Sequence, residues 1–350
     1  MPDDAQQPAA PLPGTQDLLF EAARRLRRCE AALCRVFEEA RYAEVIPPSV
    51  EGADVFGPEA FRALDRAGRL VALRADFTAQ VARIAATRLA GMSPLRLYYR
   101  GSVVRRIDGG LVYERLQAGC ELVGAAGPEA DAEMLTLASA ALLALGLRSS
   151  RISVGTMGYF AALTRAANAS GRLARALSDA VDRKDLPMLR TLCEREVPPG
   201  KARDAILMLA QPPRPQSQAA QLLSQAESLA PSDEARDALR RISATLALAK
   251  GDLEVDLGEV RGLGYYTGIV FNLYAQGAPR PVGGGGRYDS LLSRFGDPRP
   301  AVGFSLDLDA LAPLAAGGGP LASASEGVAS PPRQAGSAAG APQVPSKGIR

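Results

Sequence analysis

The strongest constraint on the fold is a long, purely helical stretch that lies between two strand-rich segments. Residues 157–250 have the pattern of successive helices, separated by Pro/Gly breaks at 198–200 and 212–215. The flanking residues instead contain short apolar runs that are typical of β-strands. A helical block between two β segments is typical of an insertion in a sheet domain. We therefore predict an α+β core over residues 12–156 and 251–314, with a helical insertion at 157–250.

The strand-like runs predict an antiparallel or mixed sheet rather than a βαβ series. Several of the runs follow each other closely, and short links join antiparallel strands more readily than parallel ones. The predicted strands are 43–46, 69–74, 95–106, 119–124, 151–156, 252–258, 268–275 and 301–306. Helices are predicted after Thr15, where apolar residues recur at three- and four-residue steps, and over about 128–146.

Both ends of the chain are predicted to lie outside the core. Residues 315–350 are mostly Gly, Ala, Pro and Ser, so they cannot bury enough apolar surface to offset chain entropy. We predict a disordered tail there and a flexible N-terminus over residues 1–11. No signal peptide is evident, and no stretch approaches the ~20 apolar residues of a membrane span. A cytoplasmic location without a membrane partner is the expectation.

Composition excludes several kinds of chemistry. The chain of 350 residues contains no histidine, so it has no imidazole base, no Ser-His-Asp or Cys-His site and no His metal ligand. The four cysteines form no CxxC pair, and Cys29 and Cys34 would point apart on a helix. We interpret all four as buried small apolar residues. The net charge of +3 provides no basic field for nucleic acid.

Two glycine-rich segments contain the densest set of candidate binding residues. Residues 260–268 read VRGLGYYTG, and residues 283–289 read GGGGRYD. Glycine lets the backbone approach a ligand closely, Arg261 could hold a carboxylate or phosphate, and Tyr265 or Tyr266 could present a hydroxyl or a ring face. Neither segment matches a P-loop or a strand-GxGxxG-helix unit. The residues alone leave two interpretations open: a ligand site, or glycine-rich turns between strands.

Polar residues also interrupt the apolar runs at 73–78 and 105–121. Charged residues in such runs are costly to bury unless they are paired. The candidate donors and acceptors are Asp76, Thr78, Arg105, Gln117 and Glu121. Because side chains alternate along a strand, Glu121 can face a cleft while its two neighbours face the core. The alternative is a surface-facing Glu121 on a half-exposed sheet.

Taken in order, these segments resemble histidyl-tRNA synthetase, a class II aminoacyl-tRNA synthetase, over residues 12–314. RYAEVIPPSVEGADVF at 41–56 resembles motif 1, the dimer-forming segment, and residues 95–124 resemble motif 2 with the strand that follows it. LRADFTAQVAR at 73–83 resembles the L-R-P-E-x-T-A segment. VRGLGYYTGIVF at 260–271 and GGGGRYDSLL at 283–292 resemble the R-G-L-D-Y-Y-T and G-G-G-R-Y-D signatures. The resemblance implies a class II synthetase-like antiparallel sheet flanked by helices.

The resemblance also implies a histidine-binding pocket. Asp76 stands at the position of the Glu that holds the α-amino group, Arg105 at the Arg that touches the carboxylate, and Glu121 at the Glu that reads the imidazole. The full set of matching residues is Asp76, Thr78, Arg105, Gln117, Glu121, Arg261, Tyr265 and Tyr266. A histidine ligand needs acceptors for its ammonium and imidazole and a cation for its carboxylate, and this set contains them.

The nucleotide half of the synthetase site departs from the family pattern. Ile107 replaces the motif 2 Glu that positions ATP, and Ala310 replaces the motif 3 Arg that grips the γ-phosphate. Losing that Arg removes a charge-assisted contact worth roughly 1.5–3 kcal/mol. Asp307 replaces a Gly where the nucleotide would lie, and its carboxylate would repel a polyphosphate. We therefore expect no catalytic residue, no metal and no cofactor.

The chain keeps the amino-acid pocket of the synthetase but lacks its nucleotide-binding residues. In this it resembles a paralogous family, the regulatory subunits of ATP phosphoribosyltransferase. This resemblance implies a non-catalytic chain that dimerises through the motif 1-like region. It would assemble with a short-form catalytic subunit, in an expected hetero-octamer. It would be required for that subunit's activity, the first step of histidine biosynthesis, and would confer feedback by free histidine. With no anticodon-binding domain after residue 314, tRNA is not an expected partner.

Two alternatives stay open from the sequence. One is a histidine-activating, synthetase-like enzyme, which would catalyse histidine-dependent ATP–pyrophosphate exchange. The other is a different amino-acid-sensing module on the same core, which would not associate with a short phosphoribosyltransferase.

Overall fold

The computed structural model describes residues 10–106, 112–260 and 265–315, and its centre is a large mixed sheet. In chain order the strands are β1 (Ala43–Glu44), β2 (Val50–Gly52), β3 (Arg62–Leu64), β4 (Leu70–Leu73), β5 (Leu95–Arg106), β6 (Val112–Val123), β7 (Ser150–Thr156), β8 (Arg214–Pro215), β9 (Leu253–Val255), β10 (Ile269–Ala275), β11 (Gly283–Arg287) and β12 (Ala301–Asp307). Over the described ranges, nine strands form the large sheet in the order β1-β5-β6-β12-β11-β10-β7-β9-β8. The strands β2-β4-β3 form a smaller antiparallel sheet.

Most neighbours in the large sheet are antiparallel, as the short links between strands predicted. The parallel pairs are β1 with β5, and β7 with β9. The pair β7–β9 is joined in sequence by the long helical stretch, which provides the crossover connection that parallel strands need. The α+β class and the mixed sheet are therefore confirmed.

Helices cover both faces of this sheet. In chain order they are α1 (Phe20–Glu39), α2 (Phe77–Thr87), α3 (Pro128–Ala144), α4 (Met157–Ala166), α5 (Gly171–Asp182), α6 (Leu186–Glu196), α7 (Lys201–Met208), α8 (Ala219–Leu229), α9 (Asp233–Leu248) and α10 (Leu308–Leu311). Helices α4 to α9 lie within the stretch predicted to be helical. Side-chain caps hold four of these starts, at α2, α6, α9 and α10; Asp76, for example, accepts from the Thr78 N–H at α2, and Ser232 accepts from the Ala235 N–H at α9.

Alternation along the strands divides the core into two layers. Tyr98 of β5 and Cys120 of β6 pack with α1 and α3 on one side, which we call the helix face. Leu97 and Tyr99 of β5 pack with Phe77 of α2 on the other side, which we call the site face. This period of two is the expected geometry of a pleated strand. It places consecutive residues of one strand in two different environments.

The segment GGGGR, residues 283–287, is a strand in the interior of the sheet and not a turn. Gly285 pairs with Phe271 of β10 and with Phe304 of β12. Glycine has a low strand propensity, so local sequence does not predict β11. The two neighbouring strands supply its hydrogen bonds, and they lie so close that a Cβ atom at Gly283 would be 2.5 Å from the carbonyl oxygen of Ser305. Sequence patterns also missed helix α2 and the strands β2 and β3 of the small sheet, and they began β6 too late, whereas the strand predicted at 69–74 is confirmed as β4.

The cysteine prediction is confirmed for three of the four residues. All four thiols are free, and Cys29, Cys120 and Cys193 are buried. Cys34 is only partly buried, because it lies at the edge of the apolar stripe of α1. In the parts of the chain that the structure describes, no helix is long and apolar enough to cross a bilayer.

Candidate functional site

The centre of the site is the carboxylate of Glu121, which lies on the site face of β6 and is only 1% exposed. Its Oε1 accepts hydrogen bonds from the Thr78 hydroxyl at 2.7 Å and from the Tyr99 hydroxyl at 3.2 Å. Its Oε2 accepts a short hydrogen bond from the Tyr288 hydroxyl. The alternation predicted for Glu121 is therefore correct, and the surface-facing alternative is wrong. A buried carboxylate surrounded by hydroxyl donors is a preorganised acceptor.

Three separate elements bring these donors to Glu121. Thr78 lies in the first turn of α2, whose start is held by the Asp76 cap. Tyr99 comes from β5, where its ring stacks on Phe77 with centroids 4.3 Å apart. Tyr288 directly follows β11 and is fully buried. The carboxylate is thus held by residues that are far apart in the sequence.

Glycine at position 303 makes room for the Glu121 side chain. Gly303 of β12 is paired with Glu121 in the sheet register. A Cβ atom at Gly303 would overlap Glu121 Oε2 and would lie 2.6 Å from the carbonyl oxygen of Cys120. A similar argument applies to Gly119, where a Cβ atom would lie 2.6 Å from the Tyr99 hydroxyl. The positions of the carboxylate and of one donor therefore depend on missing side chains.

Burial raises the pKa of the Glu121 carboxyl to about 8, while its three hydroxyl partners oppose that shift and the nearby Asp76 charge adds to it. Burial, followed by the Glu121 charge, also raises the pKa values of Tyr99 and Tyr288 well above the ordinary value. Both tyrosine hydroxyls therefore keep their protons at neutral pH. The Glu121 carboxyl, in contrast, exchanges its proton near physiological pH.

This shift predicts that rising pH destabilises the ligand-free protein. Glu121 titrates near 4.5 in the unfolded chain and near 8 in the folded one, so between these values the folded state binds more protons. The stabilisation is complete below the lower value and is lost as pH rises through the upper one, by up to about 1.4 kcal/mol per pH unit. Urea unfolding of wild type and Glu121→Gln from pH 5 to 8 measures it. A difference between them that does not change with pH would contradict the assignment.

Next to Glu121, the two tyrosines of the glycine-rich segment connect the buried carboxylate to Asp76. The Tyr265 hydroxyl donates to Asp76 Oδ2 at 3.4 Å, and the Tyr265 ring meets Tyr288 edge-on at 5.9 Å. Tyr265 and Tyr266 are in contact, with ring centroids 4.9 Å apart. The Tyr266 ring lies over Gly286, where a Cβ atom would be 2.8 Å from it. The two glycine-rich segments predicted from the sequence therefore meet at one place.

A cavity of about 260 Å³ opens beside these tyrosines. Its polar lining includes Arg105, Gln117, Tyr266 and Asp307, and its floor is the glycine strand β11. Arg105 is oriented by its Nε, which donates to the carbonyl oxygen of Ala75 at 2.7 Å. Seven of the eight residues predicted for the pocket thus lie around Glu121 or this cavity. Arg261 lies outside the described residues, as does Ile107.

The end of the cavity at β12 carries the carboxylate of Asp307. Asp307 lines it and caps α10 by accepting from the Ala310 N–H at 3.1 Å. Arg115 and Arg280 approach Asp307 at 3.9 and 3.7 Å, which are long distances for ion pairs. Ala310 packs against the core with its methyl group. The position predicted to have lost the phosphate-binding Arg therefore carries no charge, and a carboxylate stands beside it.

Sequence reasoning missed Tyr99, Tyr288 and Gly303, which define the surroundings of Glu121. Tyr288 belongs to the GGGGRYD segment and Tyr99 to a predicted strand, so both lay within recognised segments. The strand pattern indicates which face a side chain occupies. The strand pattern does not reveal that the hydroxyls of Tyr99 and Tyr288 reach the carboxylate of Glu121, because this depends on the order and register of β5, β6, β12 and β11.

The mixed sheet, with its acidic pocket on the site face, defines a class II aminoacyl-tRNA synthetase-like protein. The histidyl-tRNA synthetase family model matches residues 14–311. A solved structure of an ATP phosphoribosyltransferase regulatory subunit/histidyl-tRNA synthetase from Bacillus halodurans has a TM-score of 0.78 at 25% identity, covering 87% of this chain and 82% of that one. A histidine–tRNA ligase subunit from Alicyclobacillus acidocaldarius has a TM-score of 0.73 at 30% identity, covering 87% and 96%.

The curated relatives indicate a particular family within this class. An ATP phosphoribosyltransferase regulatory subunit from Geobacter metallireducens is 37% identical over 320 residues, which is 86% of this chain and 73% of the relative. A relative from Anaeromyxobacter sp. with the same name is 39% identical over 313 residues, covering 85% of this chain and 88% of the relative. The chain belongs to the family of ATP phosphoribosyltransferase regulatory subunits, which shares the histidyl-tRNA synthetase core.

Proposed function

We propose that this chain is a non-catalytic subunit that binds free histidine and makes a short-form ATP phosphoribosyltransferase catalytic subunit both active and sensitive to histidine. The observation that supports it most is the buried acceptor Glu121, which contacts through Tyr288, Tyr265 and Tyr266 connect to a polar cavity with the carboxylate of Asp307 at its far end. Such a site suits a small zwitterion with a hydrogen-bonding ring. It does not suit a polyphosphate.

Free histidine presents three groups, and each has a partner in the site. The imidazole N–H donates to Glu121, whose carboxylate is held by Thr78, Tyr99 and Tyr288. The ammonium pairs with Asp76. The carboxylate pairs with Arg105, whose Nε contact with Ala75 orients the guanidinium. Gln117, Tyr265 and Tyr266 complete the pocket, with Arg261 assigned to it by its signature.

The absence of catalysis is proposed from the nucleotide half of the site. An ATP bound along β11 would place its phosphates near Asp307, where the carboxylate repels them, and Ala310 offers no compensating charge. The chain should therefore bind histidine without activating it. No histidine-dependent ATP–pyrophosphate exchange is expected, and measurable exchange would favour the histidine-activating enzyme instead.

Assembly is proposed to start from a homodimer formed by the motif 1-like region, residues 41–56. This region places Ile46 in solvent with 84% of its surface exposed, and Val50 with half of it exposed. It also carries β1, the edge strand of the large sheet. Exposed apolar side chains beside an open sheet edge favour burial against a partner. The dimers would combine with catalytic subunits into a hetero-octamer without tRNA, in the cytoplasm.

Reconstitution with a short-form catalytic subunit tests the proposal. Adding this chain should raise the turnover of the catalytic subunit, and histidine should then lower it, because a ligand shifts an assembly only through different affinities for its two states. The Glu121→Gln variant provides the matched control: it should activate the catalytic subunit but should not transmit inhibition by histidine. Failure to activate at any subunit ratio would refute the regulatory role.

A further inference from the structure

A fully buried carboxylate joins the sheet that carries the site to the last helix of the helical stretch. Asp131, in the first turn of α3, is 0% exposed. Its Oδ1 accepts from Arg287 Nε of β11 at 2.6 Å, and its Oδ2 accepts from Arg241 Nε of α9 at 3.0 Å. One carboxylate thus pairs with arginines from two elements that are otherwise separate. Pairing of this kind makes the positions of the two arginines interdependent.

Arg287 lies directly before Tyr288, and the two side chains point to opposite faces of the sheet. Arg287 reaches Asp131 on the helix face, while Tyr288 donates to Glu121 on the site face. Arg287 is 1% exposed, and its Nη2 is buried without a hydrogen-bond partner among the described residues. Its Nη1 contacts the Ala125 carbonyl oxygen at 3.2 Å and Asp289 at 2.9 Å. The shortest of these contacts is the one between Nε and Asp131, so Asp131 is a main determinant of where the Arg287 side chain lies.

Arg241 is the outer member of this group. Its side chain is 33% exposed, and its Nη2 donates to the carbonyl oxygen of Gly127, immediately before α3. It therefore ties α9 to the N-terminal end of α3. Removing Arg241 would take away the donor that the described residues provide to Asp131 Oδ2, while Arg287 keeps its own contact with Oδ1.

We propose that Arg241, Asp131 and Arg287 are positioning residues that couple histidine binding at Glu121 to the packing of α9. A ligand that changes the contact between Glu121 and Tyr288 moves the end of β11, and with it Arg287 and the carboxylate it shares with Arg241. Coupling is reciprocal, so a partner that displaces α9 changes the affinity for histidine by the same factor. The inference rests on the proposed function and names the path by which the site reaches the helical stretch.

The test compares Arg241→Gln with Arg240→Gln in the full chain. Arg240 is the neighbouring residue on α9 and pairs with Asp237 on the same helix, whereas the ion pairs of Asp131 within the described residues are with Arg241 and Arg287. Histidine should slow amide exchange over residues 233–248 in wild type and in Arg240→Gln. Arg241→Gln should lose this protection and should bind histidine about fivefold more weakly or worse, by calorimetry. Arg241→Lys, which keeps the charge, should recover part of both.

The outcomes separate the two levels of the proposal. If the wild-type chain binds histidine but amide exchange in α9 does not change, the coupling is wrong and the proposed function still stands. Equal affinity and equal protection in Arg241→Gln and wild type overturn the coupling as well. Wild-type chain that binds no histidine overturns the proposed function, and the coupling with it. If Arg241→Gln lowers stability, both readouts are taken under conditions in which urea unfolding shows the variant fully folded, where a purely structural role predicts wild-type affinity and wild-type protection.

Discussion

We expect histidine to raise the melting temperature of the wild-type chain, and replacing Glu121 with glutamine should abolish that rise. A ligand that binds only the folded state stabilises it, so the rise reports on occupancy of the site. Glutamine keeps the size of the side chain but cannot ionise, and it turns one acceptor oxygen into an NH₂ donor facing the ring N–H. A hydrogen bond to a charged group is worth about 1.5–3 kcal/mol, which is roughly ten- to a hundredfold in affinity.

The same substitution should leave the ligand-free protein at least as stable near pH 8. A carboxylate that is fully buried and ionised costs desolvation free energy, and a neutral side chain of the same shape avoids it. Loss of ligand response without loss of stability distinguishes a binding residue from a structural one. Glu254→Gln provides the matched control, because Glu254 is a half-buried strand carboxyl whose pKa is also raised by burial but which lies away from the site. If Glu121→Gln responds to histidine like wild type, the pocket assignment is wrong.

Replacing Gly303 with alanine should remove the histidine response without altering any polar group of the site. The new methyl group would occupy the space of Glu121 Oε2, so the carboxylate must leave its hydroxyl partners. The nearby Cys120 carbonyl oxygen restricts how far β12 can yield. Overpacking of this kind costs about 1–3 kcal/mol of stability in addition to the lost binding. Calorimetric titration with histidine and urea unfolding measure the two effects.

Two further variants make this prediction specific. Gly158→Ala is the control, because a Cβ atom there meets its neighbours at 3.5 Å, an ordinary contact, within helix α4. It should bind histidine normally. The double variant Glu121→Ala/Gly303→Ala should recover part of the stability lost in Gly303→Ala, because the clashing carboxylate is gone. Additive losses of stability in the double variant would show that Gly303 acts on the backbone and not on Glu121.

The proposed function requires one core to sense an amino acid without activating it, and the layout of the site is compatible with this. The residues that would read the imidazole lie on the site face and depend on β6, β11 and α2. The residues that would hold a nucleotide lie at the other end of the cavity, around Asp307 and Ala310. Because the two groups occupy different strands, changes in the second group can remove nucleotide chemistry and leave the first intact. The shared carboxylate of Asp131 then connects the retained half to the helical stretch.

Local patterns in the sequence determined most of the helices and strands, and also the face of the sheet on which the Glu121 side chain lies. The run LRLYYRGSVVRR corresponds to β5, Leu95–Arg106, and the break-separated helical patterns correspond to α4 to α9. The burial of Cys120 and Leu122 on one face and of Glu121 on the other follows from alternation along β6. These features depend on periodicity, capping and chain breaks, which act between residues that are close in sequence.

Only the tertiary structure decided what surrounds Glu121 and what connects it to the rest of the protein. The glycine strand β11 has no local propensity and exists because β10 and β12 hydrogen-bond to it. The three hydroxyls on Glu121 come from α2, β5 and the end of β11, and the arginines on Asp131 come from β11 and α9. Such contacts depend on strand order, on register and on glycines that leave space. Those properties arise between residues far apart in the chain, so the sequence pattern around each residue carries no record of them.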